Sequence, residues 1–283
     1  MTNPLISSRD AFAARHPEQR AVLRGRDWGY RDIGQGRVLL LIPGTLGRGD
    51  VFWNQIEALS GRLRIVAVSY PDSGGVAEWA EDLLALFGQL GIGRATVLGS
   101  SLGGYLAQQI AGIAPERVEA LVAANTLHSA AGLAGRPPYS LDLMAAPIAD
   151  LRAGFGAGME LWRQAHPDQS DLVDLLLQEA DGRILEPELR ARLNALKTAR
   201  ELPPMGLPGD RIFTVEADDD PLIPPAMRAA VRARLRPAVA YRYLHGGHFP
   251  YIARPSHYTA MLEQIMGLDV TGPDWGTGAE RTA

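Results

Sequence analysis

The sequence predicts an α/β fold with a mostly parallel central sheet, flanked by helices and carrying a helical cap insertion. Four short apolar segments have the composition of parallel strands buried on both faces: "RVLLLIP", "RIVAVSYP", "ATVLG" and "VEALVAAN". Helix-like segments separate them, among them "DVFWNQIEAL", for which Asp50 is a candidate N-cap. Strands and helices that alternate in this way favour a parallel sheet with right-handed crossovers.

The alternation stops after Asn125, where the sequence becomes mostly helical in segments such as "DLVDLLLQEA" and "PELRARLNAL". Residues 130–206 are therefore predicted to be a helical cap inserted into the core. Alternating strand-like and helix-like segments begin again with "RIFTVEA". Residues 1–129 and 207–267 together are therefore predicted to form the α/β core. Residues 268–283 are expected to be a loosely ordered tail.

Composition excludes several classes of function. The 28 basic and 32 acidic residues give a net charge of -4, and no long basic run points to nucleic acid or an anionic membrane. The absence of cysteine excludes a thiol nucleophile and thiolate metal sites. No phosphate-binding glycine motif and no zinc-binding histidine motif occurs, so neither a cofactor nor a metal is expected. With no signal-peptide pattern and no apolar run of about 18 residues, the expected location is the cytoplasm.

The stretch "VLGSSLGGYLAQQIA" is predicted to turn sharply from a strand into a helix. Such a turn strains the residue at its apex, and small residues two positions before and after that residue avoid clashes. Only Ser101 has glycines at both positions (Gly99 and Gly103), so Ser101 rather than Ser100 is the candidate nucleophile. The helix start offers a developing oxyanion the backbone N–H of Leu102. The alternative is that these small residues only tighten strand–helix packing.

A base for Ser101 is expected on a loop after the last predicted strand, "YLHGGHFPY". His248 follows two glycines that let the loop fold over the site, so it is the preferred base. His245 lies directly at the strand end and is the weaker candidate.

The acid that orients the histidine is expected in "VEADDDPLIPP", because the other suitable loop, "AANTLHSAAGL", contains no carboxylate. Asp220, which precedes a proline in a turn, is preferred and Asp219 is second. The alternative is that the three acids form a solvated turn. A second oxyanion donor is expected in the glycine-rich loop "LIPGTLGRGD", where the backbone N–H of Thr45 is the best candidate. An ordinary Gly/Pro turn is the alternative for that loop.

These motifs resemble the α/β-hydrolase superfamily over about residues 22–267, because G-x-S-x-G between a strand and a helix precedes an acid and then a histidine. "GTLGRGDVFWNQIEAL", "IVAVSYP", "GSSLGGYLAQQIA" and "GGHFPYIARP" are similar to the maspardin-like branch. The resemblance implies an α/β-hydrolase fold with a Ser101–Asp220–His248 triad. The usual His-Gly pair of the oxyanion loop is replaced here by Pro43-Gly44, which alters that loop but leaves its backbone donors.

The residues and the resemblance together predict a serine hydrolase that cleaves an ester, thioester or related acyl bond through an acyl-enzyme. The apolar insertion predicts a small-molecule substrate with an apolar acyl part. Two alternatives stay open. The maspardin-like branch is associated with binding or adaptor proteins that carry asparagine at the histidine position, whereas this chain keeps His248. The second alternative is carbon–carbon bond hydrolysis, because the same triad can catalyse it.

Overall fold

In the computed structural model, which describes residues 3–283, nine strands form one sheet. In chain order they are β1 (Gln19–Leu23), β2 (Arg26–Ile33), β3 (Val38–Ile42), β4 (Arg64–Ser69), β5 (Ala95–Ser100), β6 (Val118–Ala124), β7 (Ile212–Ala217), β8 (Val239–Tyr243) and β9 (Glu280–Thr282). Across the sheet the order is β1-β2-β4-β3-β5-β6-β7-β8-β9. β2 is antiparallel to β1 and β4, and the other neighbouring pairs are parallel. The predicted mostly parallel sheet is confirmed.

The four strands predicted from apolar runs, β3 to β6, are neighbours in the sheet. Within β3, Leu40 and Ile42 belong to the core on one face, and Leu39 and Leu41 belong to the core on the other. The run is continuously apolar because both faces are buried. The β1–β2 hairpin was not among the predicted strands, because its residues are polar and partly exposed at a sheet edge.

Ten α-helices accompany the strands among the described residues: α1 (Pro4–Arg15), α2 (Trp53–Leu59), α3 (Val76–Gln89), α4 (Leu102–Ile113), α5 (Ile148–Ala165), α6 (Ser170–Gln178), α7 (Glu186–Lys197), α8 (Pro225–Leu235), α9 (Pro250–Ala253) and α10 (Pro255–Ile265). Side chains of α3, α4 and α8 pack on one face of the sheet, and those of α1, α2 and α10 pack on the other. Within residues 3–283, no helix has the length and apolarity needed to cross a membrane.

Asp50 does not cap α2, which corrects the expectation from sequence. The helix begins at Trp53, and Phe52 occupies the N-cap position. The buried Asp50 carboxylate instead forms ion pairs with Arg31 (3.1 Å) and Arg183 (2.7 Å). A carboxylate so far from water needs charged partners, and the sequence could not show that distant arginines supply them.

Helices α5, α6 and α7 lie between β6 and β7 in the chain, within the predicted cap of residues 130–206, which we call the insertion. α6 covers most of the segment "DLVDLLLQEA" and α7 covers all of "PELRARLNAL", as the pattern predicts. Apolar side chains of the insertion form a third core cluster with one residue from outside it: Leu46, Leu143, Leu151, Ala180, Ile184, Leu189 and Leu193. The division into core and cap stays a prediction.

The chain end differs from the loosely ordered tail that the sequence predicts. Glu280–Thr282 forms β9, which pairs in parallel with β8. Trp275 is buried, its ring lies edge-on to Tyr241 and Tyr243, and its indole N–H donates to the carbonyl of His257 (2.8 Å). The buried aromatic ring and the pairing of β9 thus hold a segment that is largely polar and glycine-rich.

Candidate active site

Ser101 lies alone at the turn between β5, which ends at Ser100, and α4, which begins at Leu102. Its backbone has φ 56° and ψ −118°, a region that residues with a Cβ rarely adopt. Two contacts with the end of β6 hold this conformation. The Ser101 N–H donates to the carbonyl of Ala124 (2.9 Å), and the Thr126 hydroxyl donates to the Ser101 carbonyl (2.6 Å).

The glycines on either side of Ser101 permit a close approach of backbone to backbone. A Cβ atom on Gly99 would lie 1.9 Å from the carbonyl oxygen of Gly103. A Cβ atom on Gly103 would lie 2.3 Å from the carbonyl oxygen of Ile42, at the end of β3. Neither position has room for a side chain, which is the physical reason for the spacing around Ser101.

His248 and Asp220 meet at the same edge of the sheet. Asp220 follows β7 and His248 follows β8, and His248 Nδ1 lies 2.9 Å from Asp220 Oδ2 and 3.0 Å from Oδ1. The backbone N–H groups of Leu222 (2.8 Å) and Ile223 (3.1 Å) donate to Asp220 Oδ1 and fix the carboxylate. A carboxylate in this position selects the histidine tautomer with its proton on Nδ1, which leaves Nε2 free to accept one.

The buried Asp220 carboxylate stays ionised. Burial by itself would raise its pKa, but the neighbouring His248 and the hydrogen bonds from His248, from Asn125 and from the Leu222 amide outweigh that effect. The net result is a pKa below the ordinary value of an aspartate. The histidine therefore faces a negative charge at neutral pH.

The other two acids of the "DDD" run lie in a half-buried turn, and each has a partner. Asp219 accepts the backbone N–H groups of Gly246 (3.0 Å) and Gly247 (2.9 Å) and so holds the loop that carries His248. Asp218 pairs with Arg242 (2.6 Å) at the surface. His245, the weaker candidate base, has an exposed side chain.

Asn125 is a site residue that the sequence analysis missed. It directly follows β6 with φ 42°, and its Nδ2 donates to Asp220 Oδ2 (3.0 Å) and to the carbonyl of Gly247 (3.3 Å). One amide group thus joins the acid to the histidine loop. Asparagine tolerates the left-handed conformation better than most residues, so an asparagine at the end of a central strand was an available signal.

We call residues 43–48 the candidate oxyanion loop. Gly44 lies against Ser101, since a Cβ atom on Gly44 would be 3.1 Å from Ser101 Cβ and 3.7 Å from Ser101 Oγ. The Thr45 N–H belongs to the peptide group that joins Gly44 to Thr45. Leu102 is the first residue of α4, so its N–H has no acceptor within the helix. Both predicted donors therefore belong to segments adjoining Ser101.

A family model described as "Alpha/beta hydrolase family" matches residues 39–261. The chain belongs to the alpha/beta hydrolase family. It is 30% identical over 269 residues to the magnesium-chelatase 30 kDa subunit of Rhodobacter capsulatus, covering 84% of this chain and 92% of that protein. It is 26% identical over 258 residues to maspardin of Pongo abelii, covering 83% of this chain and 78% of that protein, which confirms the maspardin-like resemblance.

The fold of this alpha/beta hydrolase also matches solved structures of hydrolases. The enol-lactonase from Burkholderia xenovorans LB400 matches with a TM-score of 0.73 and 17% identity, covering 88% of this chain and 100% of that one. At this level of identity the likeness shows the fold. The predicted α/β-hydrolase fold is confirmed.

Ser101, His248 and Thr45 line one cavity of about 380 Å³ in this alpha/beta hydrolase. That volume is within the range of pockets that hold small molecules. Most of the other lining side chains are apolar, and they come from both the core and the insertion: Leu46, Leu127, Phe155, Met159, Ile223 and Phe249. Burial raises the pKa of the lining Tyr139 to about 12, so its hydroxyl is neutral.

Proposed function

We propose that this protein is a serine hydrolase that cleaves an ester, thioester or related acyl bond of a small molecule through an acyl-enzyme. One observation carries the proposal: Ser101, at a strained strand–helix turn, lines the same cavity as His248, and His248 Nδ1 is bonded to Asp220. A serine hydroxyl becomes nucleophilic when a base removes its proton, and a histidine is an effective base when an acid orients it.

In the proposed reaction, His248 Nε2 takes the Ser101 hydroxyl proton while Oγ attacks the carbonyl carbon. The carbonyl electrons move to oxygen, and the N–H groups of Leu102 and Thr45 stabilise the oxyanion. The intermediate collapses, and His248 gives its proton to the leaving group. Water, deprotonated by His248, then attacks the acyl-enzyme. The bond between the acyl carbon and Ser101 Oγ breaks, His248 returns the proton to Oγ, and the acid is released. Asp220 accepts the Nδ1 hydrogen bond throughout and stabilises the imidazolium form.

The apolar lining of the cavity supports a substrate with an apolar acyl part. A non-catalytic binding protein is the second candidate, and the similarity to maspardin favours it. Carbon–carbon bond hydrolysis by the same triad remains a prediction from the sequence, as does a cytoplasmic location.

Fluorophosphonate labelling and a panel of p-nitrophenyl esters of increasing acyl length test the proposal. The wild type should be labelled and Ser101→Ala should not be, with kcat lowered by at least ~10³-fold. Ser100→Ala is the matched control and should keep its labelling, because Ser100 is the last residue of β5 and does not line the cavity. Equal labelling of Ser101→Ala, or none of the wild type, would contradict the proposal. No ester turnover, together with partners that Ser101→Ala retains in a pull-down, would favour the binding protein.

A further inference from the structure

The candidate oxyanion loop is held by the insertion as well as by the sheet. Arg192 of α7 has a completely buried side chain that reaches this loop. Its Nη1 donates to two of the loop's carbonyl oxygens, those of Thr45 (3.0 Å) and Gly47 (2.8 Å). One guanidinium group therefore fixes the peptide group directly after the Thr45 amide, between residues 45 and 46, and the one between residues 47 and 48.

A second side chain fixes the same loop from its other end. The Arg192 guanidinium lies over the ring of Tyr70, 5.2 Å from the ring centre, and the Tyr70 hydroxyl donates to the carbonyl of Pro43 (2.8 Å). Burial raises the pKa of Tyr70 well above its ordinary value, so the hydroxyl keeps its proton. The carbonyls of residues 43, 45 and 47 are all held, on both sides of the Thr45 N–H.

The charge of Arg192 makes this arrangement costly, because a guanidinium loses its hydration when it is buried. Burial lowers the pKa of Arg192 to about 10, which still leaves it charged at neutral pH. Its carboxylate partner Glu188 lies at 3.4 Å, farther away than the loop carbonyls. The buried charge is thus directed mainly at the loop, and Leu46 adds an apolar contact with the insertion.

We infer that Arg192 is a positioning residue that sets the Thr45 N–H where the oxyanion forms, so that docking of α7 completes the oxyanion hole. The inference rests on the proposed function, because it requires Thr45 to be an oxyanion donor. It assigns a catalytic consequence to a residue of the insertion that does not line the cavity.

Arg190 provides a matched control on the same helix. It also donates to two carbonyl groups, those of Leu143 (2.6 Å) and Ala146 (2.8 Å), but both belong to the insertion itself. Arg192→Met and Arg190→Met therefore each remove an arginine and two carbonyl contacts from α7. Only the first change frees the candidate oxyanion loop.

The test measures how fast a fluorophosphonate labels Ser101, because the phosphoryl oxygen of this probe takes the oxyanion position. We expect Arg192→Met to lower the maximal labelling rate by about 10²-fold with little change in the probe's apparent affinity. Arg192→Lys keeps a cation that can reach the same carbonyls and should recover at least about a tenth of the wild-type rate. Arg190→Met should label within about twofold of wild type, since the loop keeps its contacts.

Several outcomes would overturn the inference. Labelling of Arg192→Met within about twofold of wild type would overturn it alone and leave the proposed function intact. Equal losses for Arg192→Met and Arg190→Met would mean that α7 acts only through overall stability. If Arg192→Met does not fold, Tyr70→Phe, which removes only the Pro43 contact, should lower the rate several-fold, and an unchanged rate would overturn the inference. If wild-type Ser101 is not labelled at all, the proposed function and the inference fail together.

Discussion

The His248–Asp220 pair and the candidate oxyanion loop lie on either side of Ser101 but are held by different means. Asp220 is fixed by the neighbouring amides of Leu222 and Ile223 and by Asn125 at the end of β6. These contacts come from the sheet edge itself. The candidate oxyanion loop depends instead on Tyr70 and on a buried side chain of the insertion, Arg192.

This difference separates two parts of the proposed reaction. The Asp220 carboxylate is held by groups that follow neighbouring strands of the sheet. A loop held by an inserted helix is positioned only when that helix docks. Proton transfer and oxyanion stabilisation should therefore respond differently to changes in the two regions, and substitutions can separate them.

Asp220→Asn should have the largest effect, and it should change only the His248–Asp220 pair. An amide cannot hold the Nδ1–H tautomer as a carboxylate does, and it places an NH₂ group beside the Asn125 donor. We expect kcat to fall by roughly 10³–10⁴-fold on the best p-nitrophenyl ester. Asp218→Asn is the matched control, because Asp218 pairs with Arg242 (2.6 Å) and Arg228 (3.8 Å) rather than with His248, and it should stay within about twofold. A loss below about tenfold for Asp220→Asn would argue that the carboxylate does not orient His248.

The sequence predicts the His248–Asp220 pair far better than the contacts that hold the candidate oxyanion loop. Ser101, Asp220 and His248 follow strand ends, and parallel strands bring their carboxyl ends to one edge, so local pattern and chain order suffice. Arg192 lies 147 residues from Thr45 in the chain, in a helix whose pattern predicts only that it is helical. Which of the many arginines is buried, and against which carbonyls, depends on tertiary packing that periodicity does not encode.

Asp50→Asn should have the next largest effect, and it should lower the stability with which the insertion is attached to the core. The carboxylate joins Arg31 of β2 to Arg183 next to α6. An amide would remove the charge that the two guanidinium groups share, while Arg31 keeps Glu18 and Arg183 keeps Glu179, so we expect a cost of about 2 kcal/mol in the free energy of unfolding. Urea denaturation followed by circular dichroism measures this loss. A change below about 1 kcal/mol would show that this ion pair does not fasten the insertion to the core.

The stability difference between the wild type and Asp50→Asn should also depend on pH. Burial alone would raise the pKa of Asp50, but the hydrogen bond and charge of Arg183, together with Arg31 and Arg48, lower it below its ordinary value. A lowered pKa contributes stability that is complete above the unfolded-state pKa near ~4 and is lost as pH falls through the folded-state value. The difference in unfolding free energy between wild type and Asp50→Asn should therefore be constant near neutrality and shrink below about pH 4. A difference that grows on acidification would contradict this assignment.

Gly44→Ala should have a smaller effect, at the contact between the candidate oxyanion loop and Ser101. The new methyl group would lie 3.1 Å from Ser101 Cβ, so the loop must shift by a few tenths of an ångström. Because misplacement by about 1 Å costs on the order of 10²-fold, we expect about a tenfold loss in kcat with little change in Tm. Unchanged kcat would mean that the loop's distance from Ser101 does not limit the reaction.

Gly156→Ala should have the smallest effect, and it separates the insertion's helices from its contact with the loop. Gly156 lies inside α5, and a Cβ atom there would meet nothing within 4 Å. Alanine should therefore stabilise the helix by about 0.5–1 kcal/mol, measured as a small rise in Tm, because it restricts the unfolded chain and favours helix. Activity should not change, since α5 makes no hydrogen bond to the candidate oxyanion loop among the residues described. A fall in kcat with a raised Tm would instead show that the reaction needs motion of the whole insertion, and positioning by Arg192 would then be only part of its role.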